Sequence, residues 1–326
     1  MNPITRRQLV ATTLLGAMLP GWAQAASYPD GRPIKLVVPY TPGGGTDTVA
    51  RFIAARIAAE TRWSMVVENR PGAAGNIGMD AVAKAKPDGL MVGLGQTANL
   101  AINPALMPRL PFDAEKDLVP VALVASQPMV LVVRADSPWK TLDDAIKAAQ
   151  AKPGDLKQAL ASNGTVGHLA GEMLAHRARF KVLNVPYKGA GPALTDLLGG
   201  NTDFMFATPQ SVLEMIKGQR LRALAVTSGA RLPILPDAPT VAESGYPGFE
   251  AVDWKVIVAP AGTPAAVVQA LNAATEKALA KPETIALLAT EGSTALGGSP
   301  AKAQQYLQAE QRKWARLIKD ANITLE

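Results

Sequence analysis

Hydrophobic and polar positions alternate along the chain between two kinds of segment. Short apolar runs bounded by glycine, proline and asparagine read as buried strands over 34–39, 64–68, 90–94, 119–125, 129–133, 157–161, 181–185, 203–207, 221–226 and 251–259. Between them, apolar residues spaced three and four apart predict helices. The first carries Val49, Phe52, Ile53 and Ile57 on one face, with Thr46 or Asp47 as its cap. Others cover 77–85, 142–151, 166–178, 192–198, 210–217, 264–280, 283–289 and 300–320, the last with Ser299 as N-cap. Residues 96–99, 104–117 and 229–249 read as irregular or loop.

Strand and helix alternate with short connections, which predicts an α/β fold with mostly parallel sheets flanked by helices, and ligand crevices at the carboxyl ends of the strands. The length suits two lobes. The helical tail after residue 259 has no sheet of its own and is expected to pack back on the first lobe. That gives 26–127 with 251–326 as one lobe, 128–250 as the other, and a hinge where the chain crosses twice.

Two strand-to-helix junctions carry small flexible loops. In the first, LVVPYTPGGGTDTVARFIAAR, the strand enters Gly43, Gly44 and Gly45 before the helix. In the second, KQALASNGTVGHLAGEMLAHRA, the loop is Ser162, Asn163, Gly164 and Thr165. Such junctions aim unpaired backbone N–H groups and the positive end of a helix dipole at one spot, so each can hold an anion. Both are expected to close on one acidic ligand. The first loop lacks the lysine of a phosphate-binding P-loop. Gly43 and Gly45 match two of the three glycines of a dinucleotide fingerprint, with Thr48 in the third place. An exported nucleotide- or flavin-dependent oxidoreductase is therefore the competing reading.

Asp47 reads as a helix cap rather than a ligand contact, because its charge would repel an acid. His168, Glu172 and His176 fall on one helix face, but the two histidines are ~12 Å apart by helical rise and cannot share a metal. Glu172 and His176 are expected to pair at the surface, while His168 orients the second loop or faces the ligand. No nucleophile motif is present, and Trp254 is expected to pack in the core or between lobes.

Composition narrows the class further. With no cysteine, the chain has no disulfide, thiolate metal site or cysteine nucleophile. Arg6 and Arg7 precede an apolar run ending near Pro20, and Ala23-Gln24-Ala25 follows, as in an export signal over 1–25 cut after Ala25. Either the twin-arginine or the general secretory route fits, and the mature chain is expected in the periplasm. Net charge falls from +6 to +4 once Arg6 and Arg7 leave. The excess is dispersed, so no nucleic-acid partner is expected.

VVPYTPGGGTD, ENRPGAAGNIG, KAKPDG, SNGTVGHLAGE, NVPYKGAGPALTDLLGGNTDFMF, RLRALAVTS, LPDAPTVAESGYPG and APAGTP follow one another through nearly the whole mature chain. In this the sequence closely resembles the Bug-type substrate-binding proteins of tripartite tricarboxylate transporters. The resemblance implies a two-lobed, type II periplasmic binding protein that catalyses nothing, needs no cofactor or metal and works as a monomer. It would capture a small organic carboxylate and deliver it to membrane transporter subunits, or alternatively serve a sensor. It also implies a carboxylate held by backbone N–H groups and waters at Thr41, Pro42, Gly43, Gly44, Thr46 and Asp47 from one lobe and Ser162, Asn163, Gly164, Thr165 and His168 from the other. Ala74, Asn76, Thr97, Asn99 and Asp203 are the implied wall. This chain departs at Val256, where the family has glycine, and at Phe206, Ala207 and Thr208, where many members carry an acid. The missing acid argues against an amino-acid ligand.

Overall fold

The computed structural model describes residues 28–43 and 45–324. The expected export signal and Gly44 lie outside the described residues. Strands form two sheets. The first, in spatial order β11-β4-β10-β3-β1-β2, comprises β1 (Ile34–Val38), β2 (Met65–Asn69), β3 (Met91–Gln96), β4 (Leu118–Pro128), β10 (Val252–Pro260) and the two-residue β11 (Thr294–Ala295). The second, β7-β6-β8-β5-β9, comprises β5 (Val130–Arg134), β6 (Lys157–Leu160), β7 (Leu183–Pro186), β8 (Phe204–Ala207) and β9 (Leu221–Val226). This is a two-lobed α/β arrangement.

Each sheet repeats one plan. Three strands joined through helices run parallel (β2-β1-β3 and β7-β6-β8), and the next strand has arrived from the other sheet and runs antiparallel to both its neighbours. The sheets are thus mixed, and the expectation of mostly parallel strands holds for the trios alone. The cause is the double crossing. A strand that enters from the opposite lobe starts at the edge where the parallel strands end, so it must run the other way.

The crossings are at Met129, between β4 and β5, and between β9 and β10. Buried Thr227 ties them together. The Met129 amide donates to its hydroxyl oxygen (2.8 Å), the hydroxyl donates to the Ala251 carbonyl (2.5 Å), and the Thr227 amide donates to the Met129 carbonyl (2.9 Å).

One face of the first sheet (Ile34, Leu36, Val38, Leu94, Val124, Ile257) is covered by α1 (Gly45–Thr61) and α8 (Ala265–Leu279). The other face, with Val37, Leu123, Trp254 and Val256, lies under α2 (Asn76–Ala83) and α10 (Pro300–Asp320). That apolar cluster continues unbroken into Leu131 and Phe206 of the second sheet and Leu169 and Met173 on the helix 166–178 that covers it. Trp254 is fully buried and donates to Glu310 (2.9 Å), which also accepts from Trp314 (3.0 Å). Ser299 caps α10, its hydroxyl oxygen accepting from the Lys302 amide (3.2 Å).

The second sheet carries α4 (Leu142–Ala151), α5 (Val166–Ala178), α6 (Ala190–Gly199) and α7 (Pro209–Lys217), and α9 (Pro282–Thr290) precedes β11. Residues 96–99 are not the loop that their polarity suggests. After Gln96 the chain winds into a π-helical turn, Ala98–Ile102, and a short helix α3, Asn103–Leu106. The polar side chains there satisfy one another or nearby backbone. Thr97 donates to the Val252 carbonyl (3.2 Å) and accepts from the Trp254 amide (2.9 Å), while Asn99 accepts from the Gln96 amide (2.9 Å).

Candidate functional site

The parallel strands of both sheets end at one shared edge, and between them lies a cavity of about 190 Å³. From the first sheet it is lined by Tyr40, Thr46, Gln96, Ala98 and Asp253. The crossing contributes Met129, and the second sheet contributes Ala161, Thr165, Val166, Gly167, Ala190, Met205, Phe206, Ala207 and Thr208. A wider groove of about 520 Å³ lies near Leu221, Arg222 and Ile234 at the opening of β9, away from that edge and formed by the second sheet's half alone.

What marks the cavity is where helices begin. Thr46 is in the first turn of α1, Thr165 caps α5, Ala190 opens α6 and Thr208 caps α7, so four helix N-termini converge on one small space. Each end carries about half a positive charge, and the first amides of a helix have no intrahelical acceptor. At α5 the arrangement is tight. The Thr165 hydroxyl accepts from the His168 amide (3.3 Å), while Val166 and Gly167, the first two residues of the helix, line the cavity. A Cβ on Gly167 would come within 2.4 Å of the Phe206 carbonyl, so only glycine lets α5 start this close to β8. Among the described residues the wall bears no arginine or lysine. An anion there would be held by main-chain dipoles.

The implied site residues divide. Thr46 and Thr165 lie on the wall. Thr41, Pro42, Gly43 and Ser162 are exposed at the loop tips, and Asn163 is half-buried. Gly164 packs against Asn103 and Leu106 across the cleft, a Cβ there falling 3.1 Å from Asn103 Oδ1. Asp47 is not the helix cap itself. It lies buried inside the first turn, where it accepts from the Gly43 amide (2.9 Å), Arg51 (2.9 Å) and Asn69 (2.8 Å). Burial pushes its carboxyl up, but these three donors together hold it below the usual carboxylate range. It therefore braces the glycine loop, which turns through a positive φ at Gly43, and does not touch the cavity.

His168 likewise braces its loop. Nδ1 accepts from the Gly164 amide (3.2 Å), which puts the ring proton on Nε2, the side facing Asn184 at 3.4 Å and Glu172 at 3.9 Å. Burial pushes the ring down to about 4, so it is neutral. Glu172 is thus engaged with His168 and Asn184, not with His176 as the helical spacing suggests.

The residues expected as wall do not line this cavity themselves. Asn76 turns to Asn103 (3.0 Å) and Met107, Thr97 makes the bonds given above, and Asn99 also donates to the hydroxyl of the wall residue Tyr40 (3.4 Å). The Ala74 carbonyl accepts from Tyr40 (3.3 Å), so Ala74 backs the wall without forming it. Burial, with Asp253 nearby, raises Tyr40 and keeps that phenol protonated. Asp203 sits before β8, bonded to the Lys157 amide (2.7 Å), whereas the cavity meets the other end of that strand about 13 Å away.

Two wall features carried no local signal in the sequence, Asp253 and the apolar pair Met129 and Met205, whereas Gln96 reads only as part of a polar loop and Phe206 only as a departure from the family. An acid does therefore face the cavity, reaching it from β10 and not from residues 206–208. It pairs with buried Lys255 (3.1 Å) and accepts from Gln96 (3.4 Å), which also donates to Thr46.

Two like sheets enclosing an anion-ready cavity at their common edge define a two-lobed solute-binding protein. The family model described as "Tripartite tricarboxylate transporter family receptor" matches residues 49–323, and the chain belongs to that family. It is 37% identical to BugT of Bordetella pertussis over 303 residues, 93% of each chain. Among solved structures, Rpa4515 of R. palustris with adipate superposes with a TM-score of 0.83 at 34% identity, over 90% of this chain and 98% of that one. MatC of Rhodopseudomonas palustris with bound malate gives 0.79 at 32%, over 88% and 99%. The fold is thus that of the periplasmic binding proteins.

Proposed function

We propose that this chain is a periplasmic receptor that captures a small organic carboxylate between lobes 26–127 with 251–326 and 128–250, and hands it to tripartite tricarboxylate-type membrane subunits. The observation that carries this reading is the convergence of four helix N-termini on one cavity whose wall, among the described residues, has no cationic side chain. Fixed amide dipoles on rigid elements meet a carboxylate without a flexible cation having to be ordered. The adipate and malate held by two relatives of the same fold belong to this class of guest. Capture needs no chemical step, and the relatives are binding proteins, so no catalysis is assigned.

The lobes already meet at the cavity rim. Gln210 of α7 stands 3.2 Å from the Cβ position of Gly45 and donates to Glu291 (3.2 Å), and Pro209 abuts Gly292. A ligand that bridges the lobes adds contacts only in this closed arrangement and so favours it. The nucleotide-dependent reading meets an obstacle of size. A cavity of about 190 Å³ is smaller than the ~300–1,000 Å³ that accommodates drug-sized molecules.

The test is a thermal-melt screen of the purified mature protein against aliphatic, aromatic and hydroxylated acids and acidic amino acids. A true ligand at a hundredfold its Kd stabilises by about 2.7 kcal/mol and raises Tm by several degrees. No shift with any acid, or a yellow protein with bound flavin, would overturn the proposal.

A further inference from the structure

We infer that the guest carries one carboxylate, an apolar body and, at its far end, an uncharged hydrogen-bond donor such as a hydroxyl. This rests on the carboxylate-receptor reading and adds the other end of the ligand.

The cavity is electrically lopsided. On the second-sheet side the starts of α5, α6 and α7 face it, and no acidic side chain stands among the wall residues there. On the first-sheet side there is one helix start, that of α1, and beside it stands Asp253, held near Thr46 because Gln96 bonds both. A ligand carboxylate therefore settles against α5, α6 and α7, where dipoles attract it and no like charge opposes it. The opposite end of the ligand then meets Asp253, a pure acceptor when ionised. A second carboxylate in that position would set acceptor against acceptor with no proton between them, and a bare methyl would leave the acceptor desolvated and unpaired.

Lys255 decides between a charged and a neutral donor. Its ammonium is 3.1 Å from Asp253 Oδ2, and its side chain is only 4% exposed, against 16% for Asp253. The cation sits behind the wall and the carboxylate forms it. The pair is close to neutral as seen from the cavity, so a ligand ammonium would gain little from Asp253 and would face Lys255 behind it. A hydroxyl gains the hydrogen bond without that opposition. Between the two ends the wall is Met129, Val166, Met205 and Phe206, which suits an aliphatic or aromatic body. A pair placed only to stabilise the fold would be indifferent to the ligand's far end.

The test is titration calorimetry with two ladders that differ only at that end: hexanoate, 6-hydroxyhexanoate and adipate; and benzoate, 4-hydroxybenzoate and terephthalate. In wild type the hydroxy acid of at least one ladder should bind about tenfold tighter than its parent acid, with the dicarboxylate weakest. Asp253→Asn keeps the shape and releases the Lys255 ammonium, so the dicarboxylate should become the tightest of the three. Adding Lys255→Met should abolish that gain. If Asp253→Asn does not fold, the wild-type order decides alone.

Dicarboxylates binding wild type as tightly as the hydroxy acids would overturn the inference and leave the receptor reading intact. So would binding of acids outside both ladders with none inside. Silence from every acid, in the ladders and in the wider screen, would overturn both.

Discussion

His168 shows how one side chain can set a loop at the cleft without itself lining the cavity. Its neutral ring accepts the Gly164 amide, and burial rather than a charged neighbour keeps it neutral, with its titration pushed down to about 4. The unfolded chain takes up a proton near 6.5 and the folded one near 4, so the unfolded state binds more protons in between. Stability should therefore fall as pH drops from about 6.5 to 4, by up to roughly 3 kcal/mol, and level off below. Urea unfolding of wild type and His168→Gln across this range measures it. Parallel curves for the two proteins would contradict the assignment. Sequence reading reached Thr46 and Thr165 because a polar residue opening a helix after a flexible loop has a local signature. It missed Asp253 because nothing near that residue differs from any strand position. It faces the cavity only because β10 arrives from the other lobe and begins at this edge.

At the scale of elements, the start of α5 depends on how near a helix can come to a strand. Gly167→Ala places a methyl 2.4 Å from the Phe206 carbonyl, so helix and strand must separate. We expect a loss of about 1–3 kcal/mol and an acid affinity at least tenfold weaker, since the Val166 and Gly167 amides move with the helix. Gly199→Ala, exposed at the far end of α6 where a Cβ would come no nearer than 3.6 Å to Asn201, serves as control and should lower neither. Melting and calorimetry of the two variants check this, and equal behaviour would refute the close-approach argument. Most strands and helices were legible from apolar spacing, and the 166–178 helix falls where its periodicity puts it. The turn through Ala98–Ile102 was not. Its polar residues look like loop chemistry, and only the folded chain shows them buried and satisfied among themselves and the backbone of β10.

For the whole molecule, the repeated sheet plan places equivalent helix starts on both sides of one cleft, and this links fold to function. Local pattern predicted alternating elements but not strand direction, because the antiparallel strands are created by the two crossings tied at Thr227, a long-range fact with no short-range trace. On the reading proposed above, recognition of the acid is a property of main-chain geometry assembled from distant segments, with side chains such as Asp253 tuning which acid is kept. The most direct test is a crystal structure of the protein with its tightest-binding acid from the screen. The account predicts a carboxylate between the sheets with its oxygens about 3 Å from the amides of Val166 and Gly167 at the start of α5. A carboxylate gripped by a lysine or arginine, or an acid bound outside the inter-sheet cavity, would contradict it.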